Sequence, residues 1–148
     1  MHLKFKTEVN SSLEQVKTGF NRDLFLQIKP PFMQVILDRF DGCEAGHEVH
    51  LRTGIPGFLQ PWVSLITEAT LTPDSWFFVD EGKRLPFPLK NWRHRHEVRR
   101  THKGTSEILD EIEYSSGSRL LDLILYGPLW FVFSGRNSVY LRIFGKSK

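Results

Sequence analysis

The chain has 148 residues, of which 40% are hydrophobic, 25% charged and 13% aromatic. That length buries roughly 70% of its unfolded surface in a single core, and the composition excludes disorder. A formal net charge of +3 does not by itself point to nucleic acid, and a single cysteine, Cys43, excludes an internal disulfide and a multi-cysteine zinc site.

The expectation is one domain over residues 1–148. Residues 1–6 hold no apolar leader, and the longest apolar run, residues 120–133, is broken by Asp122, Gly127 and Pro128, so a cytoplasmic location is expected. Residues 2–9 alternate apolar and polar, with Leu3, Phe5, Thr7 and Val9 on one side, as in a half-buried strand. Ser11 and Glu14 form a capping-box pattern before a helix carrying Leu13, Val16 and Phe20. A second short helix over residues 22–28 stops before Pro30-Pro31, because proline lacks the amide that continuation needs. Strands follow at residues 34–40, 47–53, 62–71 and 76–81. Gly54-Ile55-Pro56-Gly57 is a turn or bulge, and residues 82–89, with two prolines, form an irregular connection.

The next hairpin carries the most information. Trp92, His94, His96 and Val98 share one face, and Arg93, Arg95, Glu97 and Arg99 the other. His102-Lys103-Gly104 makes a three-residue turn. Pairing Thr101 with Thr105 sets Val98 opposite Ile108, His96 opposite Asp110, His94 opposite Ile112 and Trp92 opposite Tyr114. On the outer face it sets Arg95 opposite Glu111 and Arg93 opposite Glu113, and a one-residue slip destroys both sets. The last third is helical, with Leu120, Leu121, Ile124 and Leu125 apolar, a kink or restart at Gly127-Pro128, a continuing apolar stripe of Val139, Tyr140, Ile143 and Phe144, and Arg136, Asn137, Arg142 and Lys146 toward water.

Strand, two short helices, about six strands and a long helix is the order of the α+β helix-grip fold, a curved antiparallel sheet around a C-terminal helix. The stretches Trp76-Phe77-Phe78-Val79-Asp80-Glu81, Trp92-Arg93-His94-Arg95-His96, Gly104-Thr105 and Asp110-Glu111-Ile112-Glu113-Tyr114 resemble those of bacterial ligand-binding SRPBCC proteins. That superfamily includes START lipid-transfer domains, polyketide cyclase/dehydrases and the birch-pollen allergen type. Arg136-Asn137 matches a recurrent pair in its last helix. Two departures stand out: Ser116-Gly117-Ser118 replaces the usual Pro-Leu-Gly, and residues 83–89 carry extra prolines. The resemblance implies a cavity between sheet and helix that takes a hydrophobic or amphipathic small molecule.

His94, His96 and Asp110 are expected to face inward. They either satisfy one another as buried polar groups or fix a ligand's polar end. As an enzyme of the cyclase, dehydratase or hydrolase kind, the protein would use His96 and Asp110 as an acid/base pair. A third alternative is an interaction module with a filled core. The expected ligand-binding set is Trp62, Trp76, Phe78, Trp92, His94, His96, Asp110, Ile112 and Tyr114, with residues 54–57, residues 83–89 and the last helix as the gate. A metal set of His47, His94, His96 and Asp110 lacks a clear third ligand, so neither metal nor cofactor is expected. Cys43 reads as a bystander. The arginines of residues 93–100 face glutamates, so no nucleic acid is expected. Residues 129–133 are apolar all round the helix. They either pack on Phe20, Leu24 and Phe25 or meet a second copy of the chain or a membrane surface.

Overall fold

The computed structural model describes residues 1–101 and 104–145. Strand β1 (His2–Val9) leads into helices α1 (Leu13–Gly19) and α2 (Arg22–Gln27). Strands β2 (Gln34–Phe40), β3 (Glu48–Ile55), β4 (Phe58–Leu71), β5 (Ser75–Arg84), β6 (Asn91–Arg100) and β7 (Ser106–Ser115) follow, then helix α3 (Arg119–Phe144). The strands form one antiparallel sheet in the order β1-β7-β6-β5-β4-β3-β2. The first strand therefore pairs with the last.

The register of β6 and β7 follows from the alternation of their side chains. His96 sits opposite Asp110, His94 opposite Ile112, Trp92 opposite Tyr114 and Val98 opposite Ile108. The amide of Thr101 donates to the carbonyl of Thr105, which closes the hairpin; His102 and Lys103 of the expected turn lie outside the described residues. On the outer face Arg93 reaches Glu113 at 3.8 Å, but Arg95 turns along its own strand to Glu97, and Glu111 takes Lys4 from β1.

Several expectations shift. The capping box is Ser12 with Gln15, not Ser11 with Glu14. Ser11 is committed elsewhere: its hydroxyl donates to the carbonyl of Phe144 at 2.7 Å, and Glu14 pairs with Arg100 at 2.6 Å. Residues 82–84 belong to β5, because a one-residue bulge opposite Val63 and Ser64 lets the strand continue. Gly127-Pro128 does not restart α3, which is assigned unbroken across it. Ile124, Gly127 and Pro128 are all exposed, so the carbonyl that Pro128 leaves without an amide lies on the solvent side.

The expected stripe late in α3 is buried at Tyr140 and Phe144, although Ile143 is exposed, and the first half of the helix differs from the apolar pattern. Leu120, Leu123, Ile124, Trp130 and Phe131 are exposed, while Phe133, Tyr140 and Phe144 are buried. Phe133 packs on Phe5, Trp92 and His94 rather than on Phe20, Leu24 and Phe25. Phe20 stacks instead on Tyr140 and Phe144, about two and three turns beyond Phe133 along α3. No described helix is long and apolar enough to cross a membrane. The entry to α3 is built without the proline of the usual pattern. Ser118 caps the helix, and the buried Asp122 carboxylate accepts from the amide and hydroxyl of Ser116 at 2.6 and 2.7 Å.

The β3–β4 hairpin turns at Pro56-Gly57, and Gly54 just before it has a φ of +153°, where a Cβ would run into the backbone oxygen of Phe58. Gly57, at φ +86°, has open space around it. Gly57→Ala is expected to cost about 1 kcal/mol, the strain of a side chain in the left-handed region. Gly54→Ala is expected to cost clearly more, since backbone must move. Urea unfolding of the two variants side by side checks the order.

Candidate functional site

The site grows from the inward faces of β4, β5, β6 and β7. Period-two alternation turns Trp76, Phe78 and Asp80 of β5 inward, with Trp92, His94 and His96 of β6 beside them. Strand pairing sets Phe78 opposite His96 and Asp80 opposite His94. Two imidazoles are thus held between two carboxylates.

The geometry is tight. The two imidazole centroids are 3.6 Å apart. On one side, His94 Nε2 and His96 Nδ1 lie 2.9 and 3.0 Å from Asp110 Oδ1. On the other, His94 Nδ1 and His96 Nε2 lie 3.4 and 3.3 Å from Asp80 Oδ2. The His96 Nδ1 contact is short but off the hydrogen-bonding direction, so that nitrogen has no well-aligned partner. The outer oxygens of both carboxylates are also held. Asp80 Oδ1 accepts from Trp92 Nε1 at 3.1 Å and from the Ser64 hydroxyl at 3.2 Å, and Trp62 Nε1 donates to that hydroxyl. Asp110 Oδ2 accepts from the Tyr140 hydroxyl at 3.3 Å. Aromatic rings enclose the rest: Phe78 stacks on His96 at 4.4 Å, and Phe20 and Phe133 meet His96 and His94 edge-on.

Burial and mutual charge set the protonation. Burial, with the charge of His96 beside it, pulls His94 down to about 4. Burial opposes charge on His96 too, but hydrogen bonds and the charges of Asp110 and Asp80 outweigh it and hold His96 above its ordinary value. Burial would raise both carboxyls, yet the imidazoles bring Asp80 below the usual range and Asp110 well below it. The two rings therefore hold one proton between them from about pH 4 to the ordinary histidine value of 6.5.

Beside this cluster lies a cavity of about 200 Å³, lined mainly by apolar groups. Trp62, Phe78, Trp92, His94 and His96 of the expected set line it. Trp76, Asp110, Ile112 and Tyr114 do not. Trp76 is covered by Phe20, Asp110 stands behind the two imidazoles, Ile112 is sealed in the core, and the Tyr114 hydroxyl donates to the carbonyl of Asp122. Of the expected gate, the last helix reaches the cavity through Leu129, Val132, Phe133 and Arg136, but residues 54–57 and 83–89 do not. Lys29, Pro30 and Met33 between α2 and β2 do, because the space lies toward the β2–β3 side of α3.

Among the residues that sequence reasoning missed are Asp80 and Arg136. Asp80 stands two positions after Phe78 and four after Trp76, so the same alternation that turned them inward placed it. Arg136, expected in water, lines the cavity. Its guanidinium lies 4.0 Å over the Phe133 ring, and its Nε is buried without a partner. Arg136 is three residues after Phe133 and four before Tyr140, the spacing of one helix face. Asp80, His94 and His96 bring three metal-ligating atoms within 4.8 Å of one another. His47 stands apart, its Nδ1 accepting from the amide of Glu44. Cys43 borders the cavity, and burial pushes its thiol up to about 12.

No protein-family sequence profile and no curated protein matches the chain. Solved structures do. Protein CV1439 from Chromobacterium violaceum superposes with a TM-score of 0.70 at 9% identity, over 99% of both chains. Norcoclaurine synthase from Thalictrum flavum, solved with dopamine and hydroxybenzaldehyde, gives 0.64 at 14% identity, over 100% of this chain and 89% of its own. Major latex-like protein 151 from Panax ginseng gives 0.57 at 19% identity, over 95% and 97%. The chain has the helix-grip fold. At these identities the likeness is one of fold, and it agrees with the architecture that the SRPBCC resemblance implies. Within the helix-grip frame, the His–Asp cluster sits on the sheet where the long helix crosses it.

The electrostatics fix a pH dependence. Between pH 6.5 and about 4 the unfolded chain protonates His94 and the folded chain does not, so stability falls as pH falls, by about 1.4 kcal/mol per unit. His96 adds no slope there, being protonated in both states. Urea midpoints across this window are expected to decline, and to decline less in His94→Gln. A second expectation concerns Cys43: with a buried, protonated thiol, the native protein resists iodoacetamide at pH 8 and reacts once unfolded.

Proposed function

We propose that the protein binds a hydrophobic or amphipathic small molecule in the cavity between sheet and α3, with an acceptor head group on Arg136. The observation that carries this reading is the pairing of an apolar hollow with one buried, unpartnered guanidinium nitrogen. A buried donor without an acceptor is costly, and a carboxylate or carbonyl entering the hollow removes that cost. Burial of the ligand's apolar surface adds roughly 25 cal/mol per Å², before ordering costs. A volume of about 200 Å³ suits a small molecule rather than a long acyl chain. Leu51, Val132 and Phe133 supply apolar wall, and Thr53 and Ser64 add buried hydroxyls.

A catalytic reading draws on the His–Asp cluster at the cavity wall. There His96 would be the proton-transferring group and Asp80 its partner on the cavity side, while Asp110, behind the rings, would position them.

The test uses two fluorescent apolar probes, anionic anilinonaphthalene sulfonate and neutral N-phenylnaphthylamine. Both are expected to bind one per chain. Leu51→Trp, which fills the hollow, is expected to weaken both at least tenfold. Arg136→Gln is expected to weaken the anionic probe by about tenfold, the loss of one charge-assisted contact, and to leave the neutral probe nearly unchanged. Equal binding of both probes by wild type and Leu51→Trp would overturn the cavity reading.

A further inference from the structure

We propose that Asp80, His94 and His96 form a binding site for a zinc-class divalent cation, with one coordination position open to the cavity. The inference goes beyond the ligand reading and stands on different atoms. The three donors are Asp80 Oδ2, His94 Nδ1 and His96 Nε2. The carboxylate oxygen lies 3.4 Å from the first nitrogen and 3.3 Å from the second. In a tetrahedral site with bonds of about 2.0–2.1 Å, neighbouring donors stand about 3.3–3.4 Å apart. The third edge, between the two nitrogens, is no longer than 4.8 Å, so small ring rotations complete the triangle.

The surroundings are those of an oriented metal site. A ligating histidine is normally held by a carboxylate on its other ring nitrogen. Here His94 Nε2 is hydrogen-bonded to Asp110 Oδ1, His96 Nδ1 lies 3.0 Å from the same oxygen without hydrogen-bond alignment, and Tyr140 anchors that carboxylate. Asp80 is held in the same way: Trp92 and Ser64 take its Oδ1 and leave Oδ2 for the cation. Charge points the same way, since a divalent cation balances the two carboxylates of Asp80 and Asp110, which are buried among aromatic rings. Two nitrogens and one oxygen favour zinc, cobalt or nickel over magnesium or calcium. Asp80, His94 and His96 all line the cavity, so the fourth position opens toward it.

Wild-type protein labelled with 15N is titrated with Zn2+, with Mg2+ as control, and imidazole 15N shifts are read. The expected result is one Zn2+ per chain, with coordination shifts at His94 Nδ1 and His96 Nε2 and none from Mg2+. His96→Gln is expected to weaken Zn2+ at least a hundredfold. Asp110→Asn, which keeps all three ligands, is expected to weaken it about 10–100-fold. His50→Gln, on the outer sheet surface beside Glu48, is expected to change nothing. Leu51→Trp is expected to keep Zn2+ while losing the fluorescent probes, so the two readings fail separately. Saturation shifts confined to His47, His50 or His2, or no shift at millimolar Zn2+, would overturn the site without reference to any variant.

Discussion

Four ionisable side chains beneath one helix set the terms for the rest of the molecule. Asp80, His94, His96 and Asp110 are removed from water together, and each is tolerable there only because the others are present. Removing one partner of such a group typically costs about 3–5 kcal/mol, because a charge is stranded. The cluster draws its members from β5, β6 and β7, so any slip between these strands also breaks it. It thus fixes register from inside the curved sheet, while on the outer face Arg93 with Glu113 and Lys4 with Glu111 tie neighbouring strands.

The aromatic residues make that arrangement dry. Phe78 covers one face of His96, Phe20 and Phe133 close the edges, and Trp92 both packs on Phe133 and donates to Asp80. Trp62 meets Trp92 at 4.8 Å and extends the same polar chain through Ser64. These tryptophans are apolar wall and hydrogen-bond donor at once, a double use that phenylalanine does not allow. Their presence explains how Asp80 keeps two donors on its Oδ1 at the edge of an apolar hollow.

The hairpin of β6 and β7 was legible in the sequence because two independent patterns, inward polar residues and outward charges, allow only one register. The fold was legible for the same reason, since its order of elements and the hairpin residues agree. The candidate site was half legible. His94, His96 and Asp110 were visible from alternation, whereas Asp80 hid inside an acidic pair with Glu81, although its distance from Phe78 marked it as inward. Arg136 was hidden by residue type: a guanidinium reads as surface until a ring such as Phe133 is known to lie beneath it. The helix α3 was least legible. Its first half is apolar on several sides, so periodicity did not select a face there, and packing on Phe5 of β1 and Trp92 of β6 chose Phe133, whereas Tyr140 and Phe144, visible as a stripe, stack on Phe20. The cavity rim misled for a similar reason, as prolines mark irregular backbone but not which side of a helix an empty space will take.

The pairing of β1 with β7 joins residues such as Leu3 and Ile112 that are far apart along the chain. During synthesis, β1 emerges early with an apolar row and no sheet to receive it, and its partner arrives only after seven other elements have been made. A nascent chain therefore carries an orphaned greasy edge for most of its elongation, and such an edge is an invitation to aggregation or to chaperones. The pairing that closes the sheet therefore waits on β7, and the cover that Phe133 of α3 gives His94 waits longer still.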